Sequence, residues 1–282
     1  MRLPLPRYLV MLALLTANAC GIPCHAGQPS SGLEQSICGL KEPFMFWLWS
    51  SAAGEPGAAR LAQVDNIEDV AITSRDGRIL RGYRLRPPHT LDGKQSPRGY
   101  LLVAQGNAML ADQIITRFDP FAALGYDVYI FDYRGYGRSE GKRRLKAILD
   151  DYRKIIRQLD TQPYPHRSFY GMSFGGVVLL DALRDHSSDK TLVIDSSPSR
   201  LSGYGCPAAH DPVNNLPPDA GNLLVIAGAK DYVVKPVASG ELLALAEERG
   251  ATVHREPAWG HPFMDGHTQQ RLQTVRQFLL GQ

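Results

Sequence analysis

Apolar positions recur along this chain in two periods, and the two alternate. Residues 70–73 and 78–84 read as strands around Asp76-Gly77, a hairpin turn signal. Residues 99–104 form a further strand, and a helical stretch follows through Leu124. Residues 126–132 are again a strand. In residues 145–159, Ile148, Tyr152, Ile155, Ile156 and Leu159 stand at helical spacing, which predicts an amphipathic helix. A short strand over 166–170 and a helix over 177–184 come next. Residues 191–195 and 223–227 are apolar without polar alternation, as expected for strands buried on both faces. A helix over 237–249, a strand over 252–255 and a helix over 269–280 complete the pattern. A hairpin followed by repeated strand–helix units predicts an α/β architecture: a mostly parallel central sheet with helices on both faces and an antiparallel N-terminal hairpin. Active sites of such sheets lie at the carboxyl ends of the strands.

The first 66 residues do not fit this pattern. Arg2 and Arg7 precede a short apolar run over 9–15, then Ala17-Asn18-Ala19. This order describes a secretory signal peptide over residues 1–19. The run is too short for a permanent membrane helix. Cys20 follows directly, which admits either simple export or a lipid-anchored cysteine. Residues 20–66 then form a tether and an aromatic segment, with the folded domain expected over 67–282. Residues 44–49, Phe-Met-Phe-Trp-Leu-Trp, admit three readings: a segment packed on the domain, a hydrophobic wall over the active site, or a membrane-facing patch.

Composition adds little beyond bounds. The chain has 282 residues, 44% hydrophobic, enough for a sizeable core. Loss of residues 1–19 takes Arg2 and Arg7 from a net charge of +3 and leaves +1. Such a balance predicts no nucleic-acid partner. Export favours disulfides among Cys20, Cys24, Cys38 and Cys206. Four cysteines allow three connectivities, of which Cys38–Cys206 would tie the N-terminal segment to the domain. No cysteine spacing suggests zinc, and no metal or organic cofactor is expected.

The chemistry is concentrated at Gly171-Met172-Ser173-Phe174-Gly175, a G-x-S-x-G string with a strand before it and a helix after it. That setting is a nucleophile elbow, where a side chain two residues either side of the serine would collide with the turn. A serine nucleophile needs a base, and the base needs an orienting carboxylate. On such elbows the chain order is Ser, then acid, then His. Asp231, just past strand 223–227, is the expected acid, with Asp195 at the end of the preceding strand as its rival. His261, in the loop after the last strand, is the expected base, since His254 lies within the strand and His267 near the start of a helix. The oxyanion donors are expected to be the backbone amides of Phe174 and of Asn107, in the loop after strand 99–104.

Together these residues resemble the α/β-hydrolase superfamily over roughly residues 67–282. The string Phe131-Asp132-Tyr133-Arg134-Gly135-Tyr136-Gly137-Arg138-Ser139-Glu140-Gly141 is similar to a loop in a branch of serine hydrolases that includes acyl-protein thioesterases (depalmitoylases). The resemblance implies that this loop supports the oxyanion region without itself being catalytic. Two departures stand out. Gln105 occupies a place where the family usually has histidine, and residues 196–222, where the family often inserts cap helices, are short and rich in Pro, Gly and Asn. This implies a short or absent cap and an open site. The expected activity is cleavage of carboxylic esters or thioesters by Ser173, Asp231 and His261. Peptide or amide hydrolysis by the same residues is the alternative within catalysis. A binding protein that keeps the fold without the chemistry is the alternative outside it. Membrane association through a lipidated Cys20 or the 44–49 segment is the partner expectation besides an acylated or small-molecule substrate.

Overall fold

The computed structural model describes residues 32–93, 95–185 and 190–281. The expected signal peptide, Cys20 and Cys24 lie outside the described residues. Eight strands form one sheet: β1 (Ile67–Thr73), β2 (Ile79–Leu85), β3 (Gly99–Ala104), β4 (Tyr126–Phe131), β5 (His166–Met172), β6 (Thr191–Asp195), β7 (Leu223–Gly228) and β8 (Thr252–Glu256). Their spatial order is β1-β2-β4-β3-β5-β6-β7-β8. The β1/β2 and β2/β4 pairs are antiparallel, and the remaining pairs are parallel. The expected hairpin and parallel sheet are thus both present.

Strand alternation divides the core in two. In β3, Tyr100, Leu102 and Ala104 enter one hydrophobic cluster, whereas Leu101 and Val103 enter the other. Side chains of successive strand residues point to opposite faces, so a strand covered on both sides must be apolar throughout. The first cluster takes in α1 (Glu42–Ala52) through Phe46, α4 (Leu145–Asp160), α5 (Phe174–Leu183) and α6 (Pro236–Glu248). The second takes in α2 (Ala111–Ile114), α3 (Asp119–Ala122) and α7 (Thr268–Leu279).

The helical stretch expected through Leu124 is broken. α2 is followed by a 3-10 turn, Ile115–Phe118, before α3 begins. Pro120 sits in the first turn of α3, where its missing N–H is harmless, but it could not have donated within a continuous helix.

The segment before β1 is fastened to the domain at three places. Arg134 has a fully buried side chain and pairs with Asp151 (Nη2 2.6 Å), Asp76 (Nη1 2.6 Å) and Glu34 (Nη1 3.2 Å). The Glu42 carboxylate accepts from Ser36 Oγ and from the amides of Ile37, Cys38 and Leu145. A disulfide joins Cys38 to Cys206. It is the pairing that ties the N-terminal segment to the domain. α1 thereby resolves the aromatic run by face. Phe46 is buried and Trp49 half-buried, while Phe44, Trp47 and Leu48 are exposed. Among the described residues no helix is long and apolar enough to cross a membrane.

Candidate active site

Ser173 stands between the end of β5 and the first residue of α5, with φ 54° and ψ −116°. A left-handed serine is strained, and the surroundings hold it there. The Ser173 amide donates to Asp195 O (2.7 Å), and Ser197 Oγ donates to Ser173 O (2.9 Å). The glycines either side are required sterically. A Cβ on Gly171 would lie 2.6 Å from Gly175 O, and one on Gly175 would lie 1.9 Å from Ala104 O. Among the described residues, the non-glycine positions with positive φ are Ala108, Ser173, Ser196 and Phe263. All four lie in loops at the carboxyl ends of strands β3, β5, β6 and β8. Backbone strain of this kind collects where a rigid scaffold aims functional groups.

Asp231 and His261 meet at this same end of the sheet. His261 Nδ1 donates to Asp231 Oδ2 at 2.8 Å. A carboxylate can only accept, so Nδ1 carries a proton and Nε2 is the ring nitrogen left to face away from Asp231. Asp231 Oδ1 accepts from the Val233 and Val234 amides (2.8 and 2.9 Å). Burial pushes the Asp231 carboxyl up, but the His261 hydrogen bond and charge, with the two amides, outweigh it and hold it below the usual carboxylate range.

Asp195, the rival acid, is committed elsewhere. Its carboxylate accepts from Arg271 Nη1 (2.6 Å), Tyr170 Oη (2.8 Å) and Ser196 Oγ (3.1 Å), with no exposed surface. Burial raises its pKa, and Arg271 offsets that only in part. Arg271 also donates to Gly260 O (2.8 Å) and lies over the Trp259 ring (4.7 Å). One buried guanidinium therefore joins the end of β6 to the loop that carries His261. Residue types alone did not mark Arg271, because a sequence shows a charge on a helix and not the partner it is buried against. Replacing Arg271 by methionine leaves the Asp195 carboxyl buried without its cation. The expected cost is about 3–5 kcal/mol, read as a lowered denaturant midpoint.

The two residues whose amides are expected to hold an oxyanion, Phe174 and Asn107, line one cavity with Ser173. Phe174 N is the first amide of α5, one of the four at a helix start that have no acceptor within the helix. The Asn107 amide has no protein acceptor among the described residues. Its loop is held by the residues 131–141 string. Tyr136 Oη donates to Asn107 Oδ1 (2.8 Å), and Tyr133 Oη donates to Gln105 O (2.5 Å). Gln105 Nε2 donates to Phe131 O (3.0 Å), so this glutamine anchors the loop. Asp132 accepts from the Ala111 and Arg138 amides and fixes the turn that follows.

A cavity of about 260 Å³ opens beside Ser173, Phe174 and Asn107. Residues 196–222 contribute only short 3-10 turns, Ser202–Tyr204, Ala208–His210 and Pro212–Asn214, and no cap helix. The open site expected from that feature is corrected by α1, which supplies Met45, Phe46 and Trp49 as a wall from the other end of the chain. Phe46 packs edge-on against Phe174 (5.6 Å). Among the described residues no group of three or more His, Cys, Asp or Glu is placed to hold a metal ion.

Comparison with known proteins bears on the fold. Residues 95–203 match the family model described as serine aminopeptidase, S33. An uncharacterized Mycobacterium tuberculosis protein is 29% identical over 236 residues, covering 75% of this chain and 78% of that protein. A monoacylglycerol lipase of Mycolicibacterium smegmatis is 30% identical over 108 residues, covering 36% of this chain and 39% of the lipase. The Pyrococcus furiosus esterase Pf2001 superposes with a TM-score of 0.59 at 18% identity, covering 76% of this chain and 91% of the esterase. Sheet order, the strained serine at the β5–α5 junction and this structural likeness make the fold that of an α/β-hydrolase.

Proposed function

We propose that this chain is a serine hydrolase that cleaves carboxylic esters and thioesters through an acyl-enzyme. Ser173 attacks the carbonyl carbon. His261 Nε2 takes the serine proton and returns it to the leaving oxygen or sulfur. Asp231 fixes the ring tautomer and stabilises the imidazolium. The Phe174 and Asn107 amides hold the oxyanion, each worth roughly 3–4 kcal/mol of barrier. Water then attacks the acyl-enzyme with the same base, and the carboxylic acid leaves.

One observation favours esters and thioesters over aminopeptide substrates, the class named by the matching family model. An aminopeptidase must pair the substrate's α-ammonium with a carboxylate. The one carboxylate on the cavity is Glu42, and it already accepts four hydrogen bonds. The rest of the lining is mostly apolar. A fluorophosphonate probe, followed by peptide mapping, is expected to label Ser173, and turnover of a nitrophenyl ester is expected to exceed that of an aminoacyl nitroanilide by more than tenfold. Labelling at another residue, or faster amide turnover, would sink the reading. The relatedness to a named lipase supports the same choice.

A further inference from the structure

We infer that the first helix, strapped over the site by Cys38–Cys206, walls the acyl-chain site, and that its occupant is an apolar acyl group. This rests on the ester-hydrolase reading and names its substrate class.

Three features of the cavity carry the inference. First, Ser173, Phe174 and Asn107 stand on the cavity wall, so a carbonyl held there directs its acyl chain into the space beside them. Phe46 closes one side by packing on Phe174 and, at 5.4 Å, on Trp49. Val177, one turn into α5, is buried behind them. Second, the walls offer little to a charged or hydroxylated acyl group. Glu42 is fully bonded, and Lys41 is exposed at the rim. A polar acyl group would lose its water without regaining partners. A chain of methylenes loses nothing and gains about fourfold in kcat/KM for each one buried.

Third, the wall is held in place and not merely laid on. The disulfide bridges Cys38, just before α1, to Cys206, beyond β6, and both cysteines line the cavity. Glu42, at the start of α1, binds the Leu145 amide at the start of α4 (2.8 Å). A wall fixed at both its strap and its first turn keeps its shape when the chain is absent, so little ordering cost opposes binding. Tyr204 and Val233 stand exposed at the mouth, which leaves the distal end open to solvent. The structure thus assigns one wall of the acyl-chain site to residues before β1, facing Pro198, Leu201, Tyr204 and Cys206 from the segment between β6 and β7.

The test is the kcat/KM of the oxidised protein for nitrophenyl acetate, butyrate, hexanoate and octanoate, alongside fluorophosphonate labelling of Ser173. The wild-type protein is expected to gain about fourfold per methylene over the early members of the series. Ala238→Phe, which fills the cavity from the partly exposed start of α6, is expected to lower the octanoate-to-acetate ratio at least tenfold. Trp49→Ala, which opens the wall, is expected to lower the same ratio. A flat wild-type profile with Ser173 labelled and acetate turned over would overturn this proposal alone. So would an unchanged ratio in both variants when they label at the wild-type rate. No labelling and no ester turnover would overturn the ester-hydrolase reading and this proposal with it. Should a variant fold poorly, the wild-type profile decides by itself.

Discussion

Replacing Ser173 by alanine is expected to lower kcat on a nitrophenyl ester by about 10⁵–10⁶-fold while changing KM little. The effect is large because no neighbouring hydroxyl can take over. Ser197 Oγ is held by Ser173 O, and Ser196 Oγ by Asp195. Alanine keeps the backbone amides of Phe174 and Asn107 in place, so the proposed oxyanion donors are expected to survive and substrate binding to persist. Some residual catalysis above solution is expected for that reason. The fold should tolerate the change, since the main-chain bonds that hold residue 173 do not involve its side chain. Steady-state kinetics with a thermal melt as control make the measurement. Retention of more than about one part in a hundred of the activity would show that the nucleophile is elsewhere.

The second large effect is expected at Asp231→Asn, with a loss of roughly 10⁴-fold in kcat. An asparagine is close in shape, and its oxygen can still accept from Val233 and Val234. Its NH₂ group would then face His261 Nδ1. That nitrogen must become the acceptor, which moves the ring proton to Nε2, where the base is needed. The enzyme would fold with its histidine in the wrong tautomer. Asp195→Asn offers the contrast. It removes the charge that neutralises buried Arg271, so stability is expected to fall along with activity. If Asp231→Asn were harmless and Asp195→Asn inactivated a stable protein, the acid would be Asp195.

Much of this architecture was legible in the sequence because the physics is local. The buried strands announce themselves as uninterrupted apolar runs, and the elbow does so by its glycines, each of which a carbonyl oxygen would otherwise strike. Strand and helix ends shifted by a few residues, as where α5 begins directly at Phe174 and not at Val177. What stayed hidden depends on tertiary partners. Arg271 and Arg134 look like ordinary surface charges until their buried carboxylates are seen. The 44–49 run is apolar nearly all round, so it carries no amphipathic sign of which face turns inward. Downstream of β6, between it and β7, the chain offers only turns. The wall is the 44–49 segment, one of the three readings that run admitted, and its choice among them rests on partners far along the chain: Arg134 for Glu34, Leu145 for Glu42 and Cys206 for Cys38. The tyrosine hydroxyls that brace the Asn107 loop were marked as a string of residue types, without their individual partners.

That bond also sets an order of events. Cys38 and Cys206 are separated by 168 residues, so the helix synthesised near the beginning of the chain is sealed only after six of the eight strands exist. Ser173, Asp231 and His261 stand at strand ends of the sheet, whereas α1 is covalently fastened only by oxidation, beside its Glu34 and Glu42 contacts. A newly made chain kept in a reducing environment would therefore form the Ser173 elbow before the Cys38–Cys206 strap was closed. On the proposed function, the oxidising step would act as a finishing event, fixing the wall against which the acyl chain is measured.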